Sequence, residues 1–588
     1  MKTLILYLLI LTFGLNCSAQ NFQLHLIGSS DSENKTIDSI GYISEHKEAK
    51  SIRDEIIKVS ETLLKMGFLQ NQILENSKPN DSTFSTKFNL GERIKTIHIY
   101  IGRKKPTQPS QREGFRTGEE EETENNNRII KDLISLDKNK DTLVLSYTEV
   151  ESFLNQTLQK LEQKGFALAK LKLINIKQQK NTLYADLQFE SDKPRRLNAI
   201  VIKYADENPK NSFPNGHLKQ INRKYNTTIF NQEVVQQIHD DFEKFEFVSQ
   251  IKYPEILFTK DTTKVYVYLE KKKSNNFDGF IGFSNTENKK ITFNGYLDVT
   301  LENALKSGEQ ISFYWKSDGT NQKTFKAGIE LPYLFKSPIG LKAQIHIFKQ
   351  DSIYQNSKTA VALGYYMDYN TRIYLGYQST ESSDIQNTNN TTISDYKNSY
   401  ITSNIEFSKF DYVNLTFPKK STLSLTIGFG KRKTNNSEST AGENKQFFMT
   451  LNAMHNFYLN KKNCINIKSQ NYYLQSDNYI INELFRYGGN NSIHGFAENS
   501  LQASFVSSIL TEYRYIVSPS LYVHSIVDYG YFQDKTTNNE GNLIGFGFGI
   551  GLQTKSGLLQ FSLANGSSKN QEIKLYNTMV TICYNVKF

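Results

Sequence analysis

The chain has 588 residues, with Lys+Arg 70 against Asp+Glu 60 and a formal net charge of +10 at pH 7; its mean hydropathy is −0.53. Beyond residue 19 no apolar run approaches the roughly 20 residues of a membrane helix, so the chain is either soluble or crosses lipid as a closed barrel. The basic excess comes with no basic helix or base-stacking motif, which sets nucleic acid aside as a partner. Only Cys464 and Cys583 lie beyond residue 19, too few for a disulfide framework.

The first elements are a basic start, Met1-Lys2-Thr3, and an apolar run from Leu4 to Leu15. Cys17-Ser18-Ala19 then offers a small-residue cleavage site before Gln20, so residues 1–19 read as a secretory signal peptide. Lipidation of Cys17 is the alternative, against which Gly14-Leu15-Asn16 is a poor preceding match.

Three similar segments follow. Their helices end in Leu64-Lys65-Met66-Gly67-Phe68, in Leu161 to Phe166, and in Phe242 to Phe247. Each leads through a polar turn to a strand: Thr83 to Asn89, Thr182 to Glu190, and Lys264 to Glu270. Repetition of this kind signals an array of small domains. Ser51/Asp54 and Ser146/Glu149 have capping-box spacing, and Asn231 is a good N-cap. In the second helix Val150, Phe153, Leu154, Leu158 and Leu161 form one apolar stripe for packing on a sheet. The junctions Gly91-Glu92-Arg93, Lys193 to Arg196 and Lys271-Lys272-Lys273 each run into the next strand. A β-α-β-β unit of this kind resembles the POTRA (polypeptide-transport-associated) domain. The expected units are 20–92, 93–192 and 193–272. The second carries an insertion near residues 103–141, with Glu119 to Glu122 and Asn125 to Asn127, which reads as a disordered loop or, alternatively, an acidic docking segment.

From residue 273 helical periodicity gives way to alternating segments, among them Gln310 to Trp315, Leu341 to Phe348 and Thr422 to Phe429. The remaining ~310 residues give on the order of 16 antiparallel strands, within the range of transmembrane barrels. The last segment, Met579 to Phe588, places Val580, Ile582, Tyr584, Val586 and Phe588 on one face. Such a strand suits lipid on one side and water on the other, with Tyr584 and Phe588 as a terminal strand signal; a half-buried soluble edge strand alternates in the same way.

The most specific stretch is Arg486-Tyr487-Gly488-Gly489-Asn490-Asn491-Ser492-Ile493-His494-Gly495-Phe496. It resembles the inner-loop motif of the BamA/TamA superfamily of outer-membrane assembly proteins. Gly488, Gly489, Ile493, Gly495 and Phe496 match the motif, while His494 stands where the family usually has Arg. Glu512 with Arg514, and Asp528 with Gly530, fall where that family's late strands carry E-x-R and D-x-G. By alternation Glu512, Arg514 and Asp528 belong to the lumen. Gly545, Gly547, Gly549 and Gly551 share one face, a smooth strip on which another backbone can seat.

The resemblance implies α+β periplasmic units followed by an outer-membrane barrel over residues 273–588. It implies insertion or translocation of nascent barrel or secreted client proteins, with no nucleotide, metal or other cofactor. Partners would be outer-membrane lipid, the clients, and periplasmic chaperones or lipoproteins. Three units resemble the TamA arrangement more than the five usual in BamA or the two of two-partner secretion transporters. An enzyme is not expected: no G-x-S-x-G, H-E-x-x-H or metal-spaced Cys/His cluster occurs, and the Glu512, Arg514 and Asp528 group reads as a network fixing a loop. The competing reading is a secretion pore dedicated to one client, with a passive porin less suited to the three units.

Overall fold

The computed structural model describes residues 21–101, 118–134, 141–204, 213–285, 291–318, 322–386, 393–411, 414, 416–434, 444–489, 491–569, 572–573 and 578–588. Residues 1–19, read above as a signal peptide, lie outside the described residues. The chain forms two compact units: one runs to Leu197 and takes in Thr227–Val234, and the other holds Asn198–Asn226 and Val235–Phe588.

The first unit contains two sheet-and-helix repeats. In the first repeat the strands Phe22–Gly28 and Thr83–Asn89 run parallel at the sheet centre, flanked by Glu45–His46 and Gln72–Asn80. The helix Ala49–Lys65 buries Ile52, Val59 and Leu63, and these pack with Leu24, Leu26, Phe88 and Leu90. That spacing repeats every two and then one helical turns, giving one buried stripe. The second repeat has the same order, with Thr96–Tyr100 parallel to Thr182–Glu190. Its core is built from Ile97, Ile99, Leu161, Leu183 and Leu187.

Each repeat holds one helix more than the β-α-β-β pattern. Asp31–Ile40 precedes the long helix of the first, with Ser30 accepting from the Glu33 amide. In the second, the segment expected to be a disordered insertion is in part the helix Gly118–Leu133. Ile130 and Leu133 sit in the second core, which is why the charged stretch orders. The third repeat, at the start of the second unit, has Asn215–Tyr225 before Gln232–Glu243. Of the expected caps, Asn231 Oδ1 does accept from the Val234 amide at 2.8 Å. Ser51 and Ser146 do not cap: the N-cap of the first long helix is Glu48, and Ser146 makes no capping bond.

Residues 276–587 form a closed antiparallel barrel of 16 strands. The first is Asn276–Asn285, the eleventh Asn463–Ser476, the twelfth Phe505–Ser518, the thirteenth Leu521–Asp534, the fourteenth Asn539–Gln553, the fifteenth Gly557–Ser567 and the last Met579–Lys587. Alternation sorts the faces as lipid requires: Ile373, Leu375 and Tyr377 point outward, whereas Tyr374 and Gln378 are buried inward. Cys464 is buried and Cys583 half-buried, and neither is in a disulfide among the described residues.

The seventh strand opens with a buried polar cluster at the barrel end nearest the third repeat. There Glu330 accepts from Tyr366 at 2.7 Å and from Tyr374 at 3.0 Å, and pairs with Arg372. Beneath it, His217 of the helix Asn215–Tyr225 packs edge-on against Tyr333, with ring centroids 4.7 Å apart, and against Tyr369. Gly308 (φ +76°) belongs to the turn between the second and third strands. Its missing Cβ makes room for the imidazole. Gln220 ties the same helix to the Lys336 carbonyl at 2.7 Å.

His217 is fully buried and neither ring nitrogen has a hydrogen-bond partner among the described residues. Burial, and secondarily the Arg372 guanidinium, push its pKa down to about 3. The docked imidazole is therefore neutral, and docking is unpenalised above pH 6.5. As pH falls from 6.5 towards 3 the undocked state takes up a proton that the docked state refuses. Docking then weakens by about 1.4 kcal/mol per pH unit. Hydrogen exchange of the Asn215–Tyr225 amides, corrected for intrinsic rate, should show less protection at pH 5 than at pH 7, and His217→Gln should remove the difference.

On the last strand Val580, Ile582 and Tyr584 are exposed outward and Thr581 is turned inward. A lysine on the lipid face costs about 2–4 kcal/mol near mid-bilayer, while a lumen position is tolerant. Ile582→Lys should lower the heat-modifiable, folded fraction on a detergent gel, and Thr581→Lys should not; equal behaviour of the two would reverse the assigned faces.

Candidate functional site: the inner loop and the barrel seam

Residues 477–504 connect the eleventh and twelfth strands and fold into the lumen. Gly488 and Gly489, at φ +99° and +103°, turn the chain after the short hairpin strand Phe485–Tyr487, which pairs with Leu501–Ala503. Left-handed backbone of this kind is cheap only for glycine. The turn delivers Ile493 and Phe496 to a buried cluster with Tyr487, Ala503, Val506, Leu510 and Leu543.

His494 sits between these two apolar anchors. Its backbone N–H donates to Asp528 Oδ2 at 2.8 Å, and its Nδ1–H donates to the same oxygen at 2.7 Å. Asp528 is almost wholly buried, and its Oδ1 has no partner among the described residues. A buried carboxylate half satisfied in this way suits a donor with two parallel N–H groups better than it suits an imidazole.

The loop lies against glycines on three strands, with its backbone on two of them and the Ile493 side chain on the third. A Cβ on Gly545 would stand 2.6 Å from the His494 carbonyl, one on Gly530 2.6 Å from Ile493 Cδ1, and one on Gly566 2.7 Å from the Gly495 carbonyl. Gly495 itself, at φ +81°, has no room for a Cβ beside Asn565. The expected four-glycine seat is therefore narrower along the fourteenth strand and wider across strands. Of its members only Gly545 meets the loop. Gly549 makes room for the His524 ring and Gly551 for the Tyr522 ring, while Gly547 faces Leu563 and Ala564.

Glu512 is not paired with His494 either. Arg514 Nε donates to Glu512 Oε2 at 2.8 Å, and the Arg514 guanidinium stacks over Phe417. Arg514 fills the carboxylate that the sequence left available to the loop.

A second fastening was not found by sequence reasoning. Glu483 pairs with Arg432 of the ninth strand, Lys419–Thr434, both almost wholly buried, and accepts from Gln446 at 2.7 Å. Asn482 Nδ2 donates to Ser382 at 2.7 Å and to the Ser394 carbonyl at 2.8 Å, and its own carbonyl accepts from Asn356 at 2.6 Å. Arg486 reaches the Tyr354 hydroxyl at 2.9 Å. The sequence signal was present: Asn482 and Glu483 interrupt an otherwise apolar Ile480-to-Phe485 run, and Arg486 follows it directly. The loop thus spans the lumen, held on one side by Asp528 and on the other by Arg432.

The barrel closes differently from the rest of the sheet. The fifteenth and last strands pair from Gly557↔Val586 to Ala564↔Met579. Across the seam, among the described residues, only Asn276↔Lys587 and Phe277↔Val586 pair, extended by the Phe588 amide donating to the Asn275 carbonyl at 2.9 Å. Above Phe277 the first strand pairs on its other side alone, with the second strand, Ile291–Glu302. Tyr584 and Phe588 are both exposed on the outer surface beside this seam.

Residues 303–577 match the Omp85 superfamily domain. No curated protein matches the chain. Similar solved structures include BamA from Haemophilus ducreyi lacking POTRA domains 1–3, at 15% identity over 78% of this chain and 97% of that one, TM-score 0.45. CdiB from Escherichia coli is similar at 12% identity over 91% and 98%, TM-score 0.49. CdiB from Acinetobacter baumannii is similar at 15% over 84% and 90%, TM-score 0.48.

The loop's grip on the barrel is testable at His494. His494→Ala removes one of the two bonds to Asp528 Oδ2, whereas Asp528→Ala removes both, so the second should expose the loop more to external protease. The two combined should be less than additive, with a coupling of about 1–3 kcal/mol in loop-opening free energy. His494→Arg should be tolerated, because Oδ1 is available to the second arm of the guanidinium. Additive effects would show that the pair does not act as a unit.

Proposed function

Taking as premise that residues 303–577 are an Omp85 superfamily domain of an outer-membrane β-barrel, we propose that the protein inserts client proteins into the outer membrane through its seam. Protein transport or assembly in general follows from the family; the route and the client class are the reading argued here. The observation that carries it is the seam. Two residue pairs at one end leave the inner edge of the first strand unpaired along the rest of its length. An unpaired strand edge is a template for another strand. The three N-terminal repeats lie in the periplasm in this reading. Their flanking strands, such as Gln72–Asn80, offer further edges to an incoming extended chain.

The lumen route is the less favoured one. A client passing through the barrel would first displace a loop fastened by Asp528 and by the buried Glu483–Arg432 pair. Breaking one partner from a buried pair costs about 3–5 kcal/mol. Strand pairing at the seam breaks far fewer bonds. Lipid, nascent barrel clients and periplasmic chaperones or lipoproteins are the corresponding partners.

A seam lock tests the route. Phe277→Cys with Val586→Cys, in a Cys583→Ser background, places two thiols on directly paired residues, within reach of a disulfide. Oxidation should abolish complementation of a deletion strain, and reductant should restore it. Depletion followed by outer-membrane and secreted proteomics tests the client class. Loss of many barrel proteins is expected; loss of a single secreted protein, with an oxidised seam that still works, would establish the dedicated pore instead.

A further inference from the structure

At the foot of the seam, on the side of the third repeat, lies a cavity of about 530 Å³. That volume is ordinary for a small-molecule site. Lys271, Lys272 and Lys273 line it where the last strand of the third repeat passes into the barrel. Lys306 lines it from the turn between the second and third barrel strands, and Phe213 and Phe247 form an apolar wall. The lining holds one carboxylate, Glu302, which is engaged by Gln310 Nε2 at 2.5 Å. None of the four lysines pairs with a carboxylate among the described residues.

The turn that carries Lys306 is fixed. Glu309 is wholly buried, and its carboxylate accepts from the Leu305 amide at 2.5 Å and the Ser307 amide at 3.1 Å. This holds Leu305 outward, 63% exposed, next to Lys306. Phe277 and Phe588, at the seam, are also exposed. An exposed leucine on the rigid turn that carries a lining lysine, together with exposed phenylalanines at the seam, is an arrangement for an amphiphile. The cations hold a negative head, and the apolar side chains meet the chains below it.

We propose that this cavity binds the phosphate headgroup of an anionic phospholipid at the foot of the seam. Lys271, Lys272, Lys273 and Lys306 hold the phosphate and Leu305 and Phe277 contact the acyl chains. Basic pockets at the membrane edge of transmembrane proteins recognise lipid heads by this chemistry. The ammonium groups supply charge while their methylene stems cover the apolar wall. The site rests on the barrel lying in lipid and is independent of the client. A lipid held there touches Lys273, Asn275 and Phe588, so it sits against the few residues that close the barrel.

The test uses the full chain in detergent, titrated with phosphatidylglycerol or phosphatidylcholine and read by native mass spectrometry. Phosphatidylglycerol should be retained and phosphatidylcholine not. The variant Lys271→Gln, Lys272→Gln, Lys273→Gln, Lys306→Gln should bind phosphatidylglycerol at least about tenfold more weakly. The corresponding four Lys→Arg changes should keep binding, and an unchanged heat-modifiable gel shift in both shows that the barrel is folded. Leu305→Ser, which removes the apolar contact without adding charge, should weaken the lipid without affecting inorganic phosphate. Undiminished lipid binding by the glutamine variant overturns the site. Equal competition by inorganic phosphate, with no dependence on Leu305, overturns the lipid and leaves a free-phosphate site.

Discussion

A sheet in hydrocarbon has no water to satisfy its edges, so the barrel stands or falls on how its first and last strands meet. Everything distinctive here follows from a closure made by two residue pairs at one end. The remaining strand edge must be covered by lipid, by side chains or by another chain. An unsatisfied amide in an apolar medium costs several kcal/mol, so the edge is a standing demand for a partner.

The second consequence is that stiffness has to come from elsewhere. Neighbouring strands hold register through cross-strand hydrogen bonds, and near the seam that support is thin on one side. The inner loop supplies it from within. His494 and Gly495 press their backbones against the fourteenth and fifteenth strands, and Ile493 its side chain against the thirteenth, where glycine replaces side chains. Gly530, Gly545 and Gly566 each lose local strand propensity, and their value lies in the close approach they allow. On the far side, Glu483 and Arg432 form an ion pair in which neither member can be removed without leaving a buried charge. The loop is a strut across the barrel as much as an obstruction of it.

What the sequence made legible follows from period and chemistry. The strict alternation of Val580, Ile582 and Tyr584 against Thr581 needs no partner to be read, because lipid imposes it. The inner loop was legible through the resemblance of Gly488, Gly489, Ile493, Gly495 and Phe496 to a family motif, and the structure gives its physical reason in the left-handed turns at the glycines. Two kinds of feature were not legible. The short helix Asp31–Ile40 buries only Ile37, so its apolar stripe is too thin to register. The helix Gly118–Leu133 hides its buried Ile130 and Leu133 behind four consecutive glutamates. The other kind is pairing at distance: Arg432 and Glu483 are 51 residues apart, and neither carries a local sign of the other. Arg514 likewise took the carboxylate of Glu512, leaving His494 to Asp528 alone.

The placement of the loop's two fastenings has a mechanical meaning. Asp528 lies on the thirteenth strand, three strands from the seam, and Arg432 lies on the ninth, far round the wall. A pull on the last strand is passed through the fourteenth and fifteenth strands to the glycine contacts and then to Asp528. It is resisted there by a carboxylate that grips both a backbone amide and an imidazole. Among the described residues no equivalent strut reaches the first strand: the loop's contacts begin at Lys316 and Gln322 on the third and fourth strands. Strain at the seam therefore falls unequally. In the seam route proposed above, the first strand is the side that peels while the last stays in place, and an incoming strand meets the edge of the first.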